Sequence, residues 1–469
     1  MIEAISRRIT LLCILAAACW LSLLTVINGY PLVFPDTGTY IRQAVKLEGV
    51  LDRPPYYSIF LLPLHLRLTL WAIPFAQNLL VSCVLFRWMG LVFERLTPPR
   101  ALVVMLLTGA LTYLPWCSNE IMPDVFTPLI VLVVFLVTQM HERLRLWEQA
   151  AWALLLTMML AFHQANPLFA LGLLVVMLAS GWWQRRRGIW FARSALLVVG
   201  PVVLAITAQT LYGYLVIGRF TPSPAAPYFL LTRIIVDGPG REYLAKACPE
   251  RHYFLCDHQS ELNADADELL WDARSPLAAM RQALGPYRAL DEASAITRAA
   301  LLKHGGEELG YAMRNAAIQF ISFGTTGDPC PCLIGKVDRM MRELFPQEYE
   351  QYATSRQNLG LWPYQTISRL HVAVVVLAGL ALLARVALRR APLGGNQGAF
   401  LVLLGFSLVL NATLMGALSE PTERYQARII WLVPLTCFAM AMAGTLLPRQ
   451  QTDGRSSEQK TVNGIATGC

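Results

Sequence analysis

The sequence predicts an all-α polytopic membrane protein with about ten transmembrane helices. Three observations predict it. The 469 residues are 55% hydrophobic and only 15% charged, with a mean hydropathy of +0.45, which is too apolar for a soluble chain of that length. The apolar residues gather into runs of roughly membrane length. Lys and Arg collect in alternate connections between those runs, as the positive-inside rule requires.

The first span is 9–28, with Arg7 and Arg8 ahead of it held on the cytoplasmic side. Ala16-Ala17-Ala18-Cys19 has the look of a lipoprotein cleavage site, but the apolar run continues through Trp20, Leu21, Leu23 and Leu24, so an uncleaved span is expected. Further runs lie near 69–90, 101–115, 125–140, 151–163, 167–183, 195–216, 367–388, 399–418 and 428–447. Basic connections follow the second (Arg87, Arg95), fourth (Arg143, Arg145), sixth (Arg185, Arg186, Arg187) and eighth (Arg389, Arg390) spans. The net charge of +8 is therefore a topology signal, and no nucleic-acid partner is read from it. Spans five and six are separated only by Gln164-Ala165-Asn166-Pro167, so they are either two crossings or a broken pair facing a covered or wet cavity.

This reading divides the chain into an N-terminal transmembrane catalytic module (1–217), an outer-face soluble segment or lid (218–364) between spans seven and eight, C-terminal transmembrane helices (365–448) and a disordered cytoplasmic tail (449–469). Mixed helical spacing at 265–284 and 291–323, with Gly-Pro and Gly-Gly breaks, makes the outer segment mainly helical. Cys248 and Cys256 are close enough for a local disulfide, and Cys330 and Cys332 can join that pair or stay reduced. A zinc site with His252 and His258 is the alternative, although the spacing matches no zinc pattern.

Candidate site residues lie on the side opposite the basic connections. Asp36, in Phe34-Pro35-Asp36-Thr37-Gly38-Thr39-Tyr40, sits just beyond the first span, where a carboxylate needs water, a partner or a substrate. The same loop carries Arg53-Pro54-Pro55-Tyr56-Tyr57, in which the prolines imply a stiff, extended stretch and Arg53 can meet an anionic headgroup. Tyr56 and Tyr57 read by themselves as interfacial anchors. Glu120 and Asp124 form a second acidic connector, where Asp124 can equally cap the following helix. Arg424 and Arg428, four apart before the last span, can clamp a phosphate or pair with Glu420 or Glu423. His163 is either a satisfied polar residue at a helix break or a ligand contact.

Asp36, Tyr40 and Arg53 to Tyr56, then Glu120 and Asp124, His163 and the Arg424-Tyr425 element resemble the GT-C superfamily of integral membrane glycosyltransferases over roughly 7–215 and 399–447. The resemblance implies a GT-C-like fold, a polyprenyl-phosphate-linked sugar donor, a glycan, lipid or protein acceptor, and a bacterial inner-membrane enzyme with its active face periplasmic. It implies that Asp36 is the catalytic carboxylate, that Glu120 or Asp124 lies across the same cavity, and that Arg424 binds the donor phosphate. Arg53, Arg428 and His163 are further candidates for the phosphate, and Tyr40 and Tyr56 for sugar or acceptor. A divalent cation, Mg or Mn, is the candidate cofactor, with no ligands assigned, because the first acidic motif carries one Asp rather than a pair. A transporter or flippase of an anionic or lipid-linked substrate, or an O-antigen polymerase or ligase, is the alternative.

Overall fold

The computed structural model describes residues 2–263, 265–325, 331–388 and 395–446; the tail expected at 449–469 lies outside them. The described residues are helical, apart from turns, loops and one isolated β-bridge. In chain order the helices are α1 (Ile2–Asn28), α2 (Thr37–Lys46), α3 (Tyr56–His65), α4 (Ala72–Val92), α5 (Pro98–Leu111), α6 (Leu114–Asn119) and α7 (Phe126–Gln139). Next come α8 (Leu146–Phe162), α9 (Asn166–Trp183), α10 (Gly188–Ile217), α11 (Ala226–Asp237), α12 (Pro239–Ala247), α13 (Ala266–Trp271) and α14 (Pro276–Ile321). The rest are α15 (Lys336–Leu344), α16 (Tyr349–Ala353), α17 (Tyr364–Ala387), α18 (Gly395–Leu418), α19 (Glu423–Ile430) and α20 (Leu432–Met442).

Seven helical segments are long and apolar enough to cross a membrane: α1, α4, α9, α10, α17, α18 and the run Glu423–Met442 formed by α19 and α20. The apolar helices Pro98–Leu111, Pro123–Gln139 and Leu146–Phe162 are shorter. Every residue of α7 is buried, as befits a helix that is apolar all round, and α4, α8, α9, α10 and α18 pack around it. Between α8 and α9, Asn166 donates to the Met159 carbonyl at 2.8 Å, and Gln209 of α10 reaches the carbonyls of Leu160, Ala161 and His163 at 3.3 to 3.4 Å. The broken turn thus has its helix-end acceptors filled by side chains, which an apolar setting demands.

The prolines of the first outer loop act differently from the extended stretch expected of them. Pro55 stands at the N-cap of α3 with helical φ and ψ, and Tyr56 begins the helix. Proline is well suited to a helix start because its missing N–H has no partner to lose there. Tyr57 is consequently no interfacial anchor: it is fully buried, with its ring 5.0 Å from Tyr40 and 5.6 Å from Phe162.

Residues 218–364 divide between two cores. Tyr228, Leu231, Leu244, Leu277, Leu290 and Ile296 are among the residues of a separate helical core. Cys332, Val337, Met341, Phe345 and Tyr352 belong instead to the main core. This second part braces the first loop: Gln357 accepts from the Val33 amide at 3.1 Å and donates to its carbonyl at 2.6 Å, and Tyr30 donates to Glu348 at 2.6 Å. Non-helical angles at Gly285 and His304 break α14 into three straight pieces, at the Gly-Pro and Gly-Gly signals in the sequence. Cys248 and Cys256 are disulfide-bonded, which removes both from a zinc ligand set; Cys330 lies outside the described residues.

Candidate functional site

The site is built by joining two acidic loops through their backbones. The Leu32 amide donates to the Asn119 carbonyl at 3.2 Å and the Ile121 amide to the Leu32 carbonyl at 2.9 Å, a parallel bridge between Leu32 and Glu120. Thr37 adds a third tie, donating to the Ile121 carbonyl at 3.0 Å while accepting from the Phe34 amide at 2.9 Å. Gln77 of α4 closes the arrangement by donating to the Ser118 and Glu120 carbonyls at 3.0 and 2.9 Å and accepting from Tyr57 at 2.7 Å. Four residues past the bridge on each segment stand Asp36 and Asp124, so both carboxylates are delivered to one place.

Arg53 Nη2 donates to Asp36 Oδ2 at 2.7 Å. Burial pushes the Asp36 carboxyl up, but the charges of Arg53, Arg424 and Lys336 outweigh it and hold it below the usual value. The side chains of Asp36 and Arg53 keep 18% and 16% of their surface exposed, so the pair remains open to a ligand. Asp124 is more enclosed. Arg428 Nη1 donates to its Oδ1 at 2.6 Å, Arg424 Nε lies 3.6 Å from its Oδ2, and the exposures of Arg428 and Asp124 are only 4% and 5%. Its side chain serves these arginines and makes no cap for α7. Arg424 and Arg428 share a face of α19 as their spacing implies, and Asp124 is a partner of both. Asn411 accepts from Arg428 at 3.3 Å, and the Arg424 guanidinium lies 4.0 Å from the centre of the Phe34 ring.

The remaining candidates fall at different distances from this cluster. His163, at the α8–α9 turn, is within electrostatic reach of Arg428, Arg53, Asp124 and Arg424. Tyr40 is buried beside Tyr57 and feels Arg53, Asp36 and Asp124. Glu120 is buried, its backbone in the bridge and its charge felt by Tyr57. Tyr56 neighbours Tyr212 on the side of the first loop.

Two residues of the outer segment escaped the sequence reading. Lys336, at the start of α15, bears on Asp36, and its position depends on Gly38: a Cβ there would stand 2.8 Å from the Lys336 carbonyl carbon. Trp271, at the end of α13, lies with its ring 5.2 Å from Lys336 Nζ and 5.8 Å from the Arg53 guanidinium. No sequence signal singled out Lys336, which is one of many Lys and Arg in residues 218–364, a segment too long for the positive-inside rule to bear on. Trp271 had none either.

Cations converge on Asp36, and Arg53 and Arg428 are hydrogen-bonded to the two aspartates. The residues around Asp36 therefore do not fit a divalent ion, which would be repelled by three neighbouring positive charges. Among the described residues, the group with metal-ligand spacing is Glu242, His304 and Glu307, on the outer segment. Compared with family models, curated proteins and solved structures, the chain matches none of them.

Proposed function

We propose that this protein is an integral membrane glycosyltransferase of GT-C type that moves a sugar from a polyprenyl-phosphate-linked donor to a glycan, lipid or protein acceptor. In this reading the chain crosses ten times, the three shorter apolar helices completing the seven long ones, and the cluster faces the periplasm of a bacterial cell. The observation that carries the proposal is a partly open carboxylate, Asp36, ringed by Arg53, Arg424 and Lys336. That combination suits transfer at a membrane surface, where the donor keeps its lipid chain in the bilayer and its sugar in water.

The chemistry needs two things of the protein. The acceptor hydroxyl or amine must lose a proton as its oxygen or nitrogen bonds to the sugar carbon, and Asp36, ionised at neutral pH, is the base that takes it. The bond from that carbon to the phosphate oxygen breaks with its electron pair left on the phosphate. Arg424, Lys336 and Arg53 offset the charge that develops there. Asp124 then serves as the counter-charge that holds the arginines of α19 in position.

The test is direct. Purified protein in lipid nanodiscs is supplied with polyprenyl-phosphate sugars and a membrane lipid extract, and polyprenyl phosphate and glycosylated product are measured. Appearance of both is expected. Movement of intact donor between leaflets with no new glycosidic bond would sink the transferase and favour a flippase.

A further inference from the structure

Residues 305–321, the last straight piece of α14, belong in sequence to the outer segment, yet they lie alongside α18. Hydrogen bonds show how deep they reach. α18 and α19 run antiparallel, since Asn411 donates to the Tyr425 carbonyl at 2.7 Å and Gln426 to the Leu408 carbonyl at 3.2 Å. Thr422 is therefore level with the last turn of α18, below the tip of the connecting turn.

The α14 piece descends along this pair. Asn315 reaches Asp237, whose partner Arg233 donates to the Ser419 carbonyl at 3.3 Å. One turn further on, Gln319 exchanges two bonds with the main chain of Thr422, at 2.8 and 2.9 Å. The contact with α18 between them is so close that a Cβ on Gly416 would stand 2.6 Å from the Ala316 nitrogen. Close approach over small residues is how helices pack when lipid surrounds them. Beyond the helix end, Thr325 accepts from or donates to His371 Nδ1 at 2.7 Å, two turns inside the candidate span α17.

The two sides of the piece differ in kind. Asn315 and Gln319 are buried against α18 and α19, whereas Leu309 (62% exposed), Met313 (67%) and Ile321 (72%) face outward. From Leu309 to Ile321 the one charged side chain is Arg314, over about 20 Å of helix at the standard rise. This outward face continues the apolar surface of α18, where Val409 and Leu418 are exposed.

We propose that residues 313–325 form a re-entrant element of the outer leaflet, and that acyl chains of the bilayer cover the face bearing Met313 and Ile321. A helix can enter lipid because its backbone groups are satisfied within it, and Arg314 can extend along its stem toward the headgroups. Gln319 then ties a lipid-immersed helix to Thr422, the residue from which α19 and its arginines start. The inference does not depend on sugar transfer.

The experiment places a bimane label at Ile321→Cys, the deepest outward residue of the piece, in the full chain, with the thiols outside the Cys248–Cys256 disulfide replaced, in liposomes containing lipids brominated along the acyl chain. Val409→Cys is the lipid-facing control and Ala295→Cys, exposed on the middle piece of α14 between the outer-core residues Ala293 and Ile296, the aqueous one. The Ile321→Cys label is expected to lose emission to bromolipid as strongly as Val409→Cys and to resist iodide. Phe320→Cys, the residue before it, serves if the first variant does not fold, with the same expectation. Iodide quenching equal to that at Ala295→Cys, with no response to bromolipid, would overturn the proposal and leave this piece in water.

Discussion

Asp36 and Asp124 are both aspartates paired with arginine at nearly the same distance, 2.7 and 2.6 Å, yet their settings make them different devices. Asp36 pairs with Arg53, 17 residues away in its own loop, and stays partly open. Asp124 pairs with Arg428, 304 residues away, and is enclosed on all sides. An open pair can exchange its partner for a substrate at modest cost, whereas an enclosed pair must stay intact because each member is costly to bury alone. The first is suited to reaction and the second to holding the site together.

The comparison breaks most plainly at Asp36→Asn. The amide keeps the shape of the loop but cannot take the acceptor proton, so product formation is expected to fall by about 100-fold to 10,000-fold at unchanged membrane abundance. Turnover within a few-fold of the wild-type protein would move the base elsewhere. Glu120→Gln should lose less, since Glu120 lies in the backbone bridge.

At the enclosed pair the expected loss is of stability. Arg428→Ala leaves Asp124 buried beside a single, longer contact to Arg424, which costs about 3–5 kcal/mol. Thermal unfolding in detergent reads this, and adding Asp124→Asn to the variant should recover much of the loss. A double variant no more stable than Arg428→Ala would mean that the unpaired charge is not the cause.

Smaller effects sharpen the contrast. Arg424→Ala and Arg53→Ala should weaken donor binding roughly tenfold to a hundredfold, the equivalent of about 1.5–3 kcal/mol for a charge-assisted contact. Arg53→Lys should recover little if the fork-shaped donor matters. Unchanged polyprenyl-phosphate affinity in both alanine variants would remove them from the phosphate site.

The smallest effect concerns pH. Because Asp36 is held below its ordinary value when folded, its pairing contributes stability above the unfolded value, near pH 4, and loses it as pH falls through the folded one. Wild-type unfolding temperature should therefore drop more between about pH 5 and pH 3 than that of Asp36→Asn. Parallel curves for the two proteins would show that Arg53 does not stabilise the ionised form.

Much of the site was legible as residue types and sides, and little of it as pairings. Arg424 and Arg428 stood out because they lie where the positive-inside rule leaves few cations, and their spacing of four put them on one helical face. Their partner did not, since the nearby Glu420 and Glu423 were as plausible in sequence as Asp124. Tyr57 was misjudged because a tyrosine at a membrane surface and one packed in a core have the same local sequence.

By itself the sequence determined that this is a membrane protein, where its long apolar helices run, and which connections carry acids and which carry bases. Partition into a bilayer acts on each segment almost independently, so composition and length decide it. Only the tertiary structure decided that Leu32 bridges Glu120, that Asp124 belongs to Arg428, that Lys336 arrives over Gly38, and that the end of α14 lies beside α18. Those contacts join residues tens to hundreds of positions apart, and they form where packed helices and satisfied backbone groups bring the chain together.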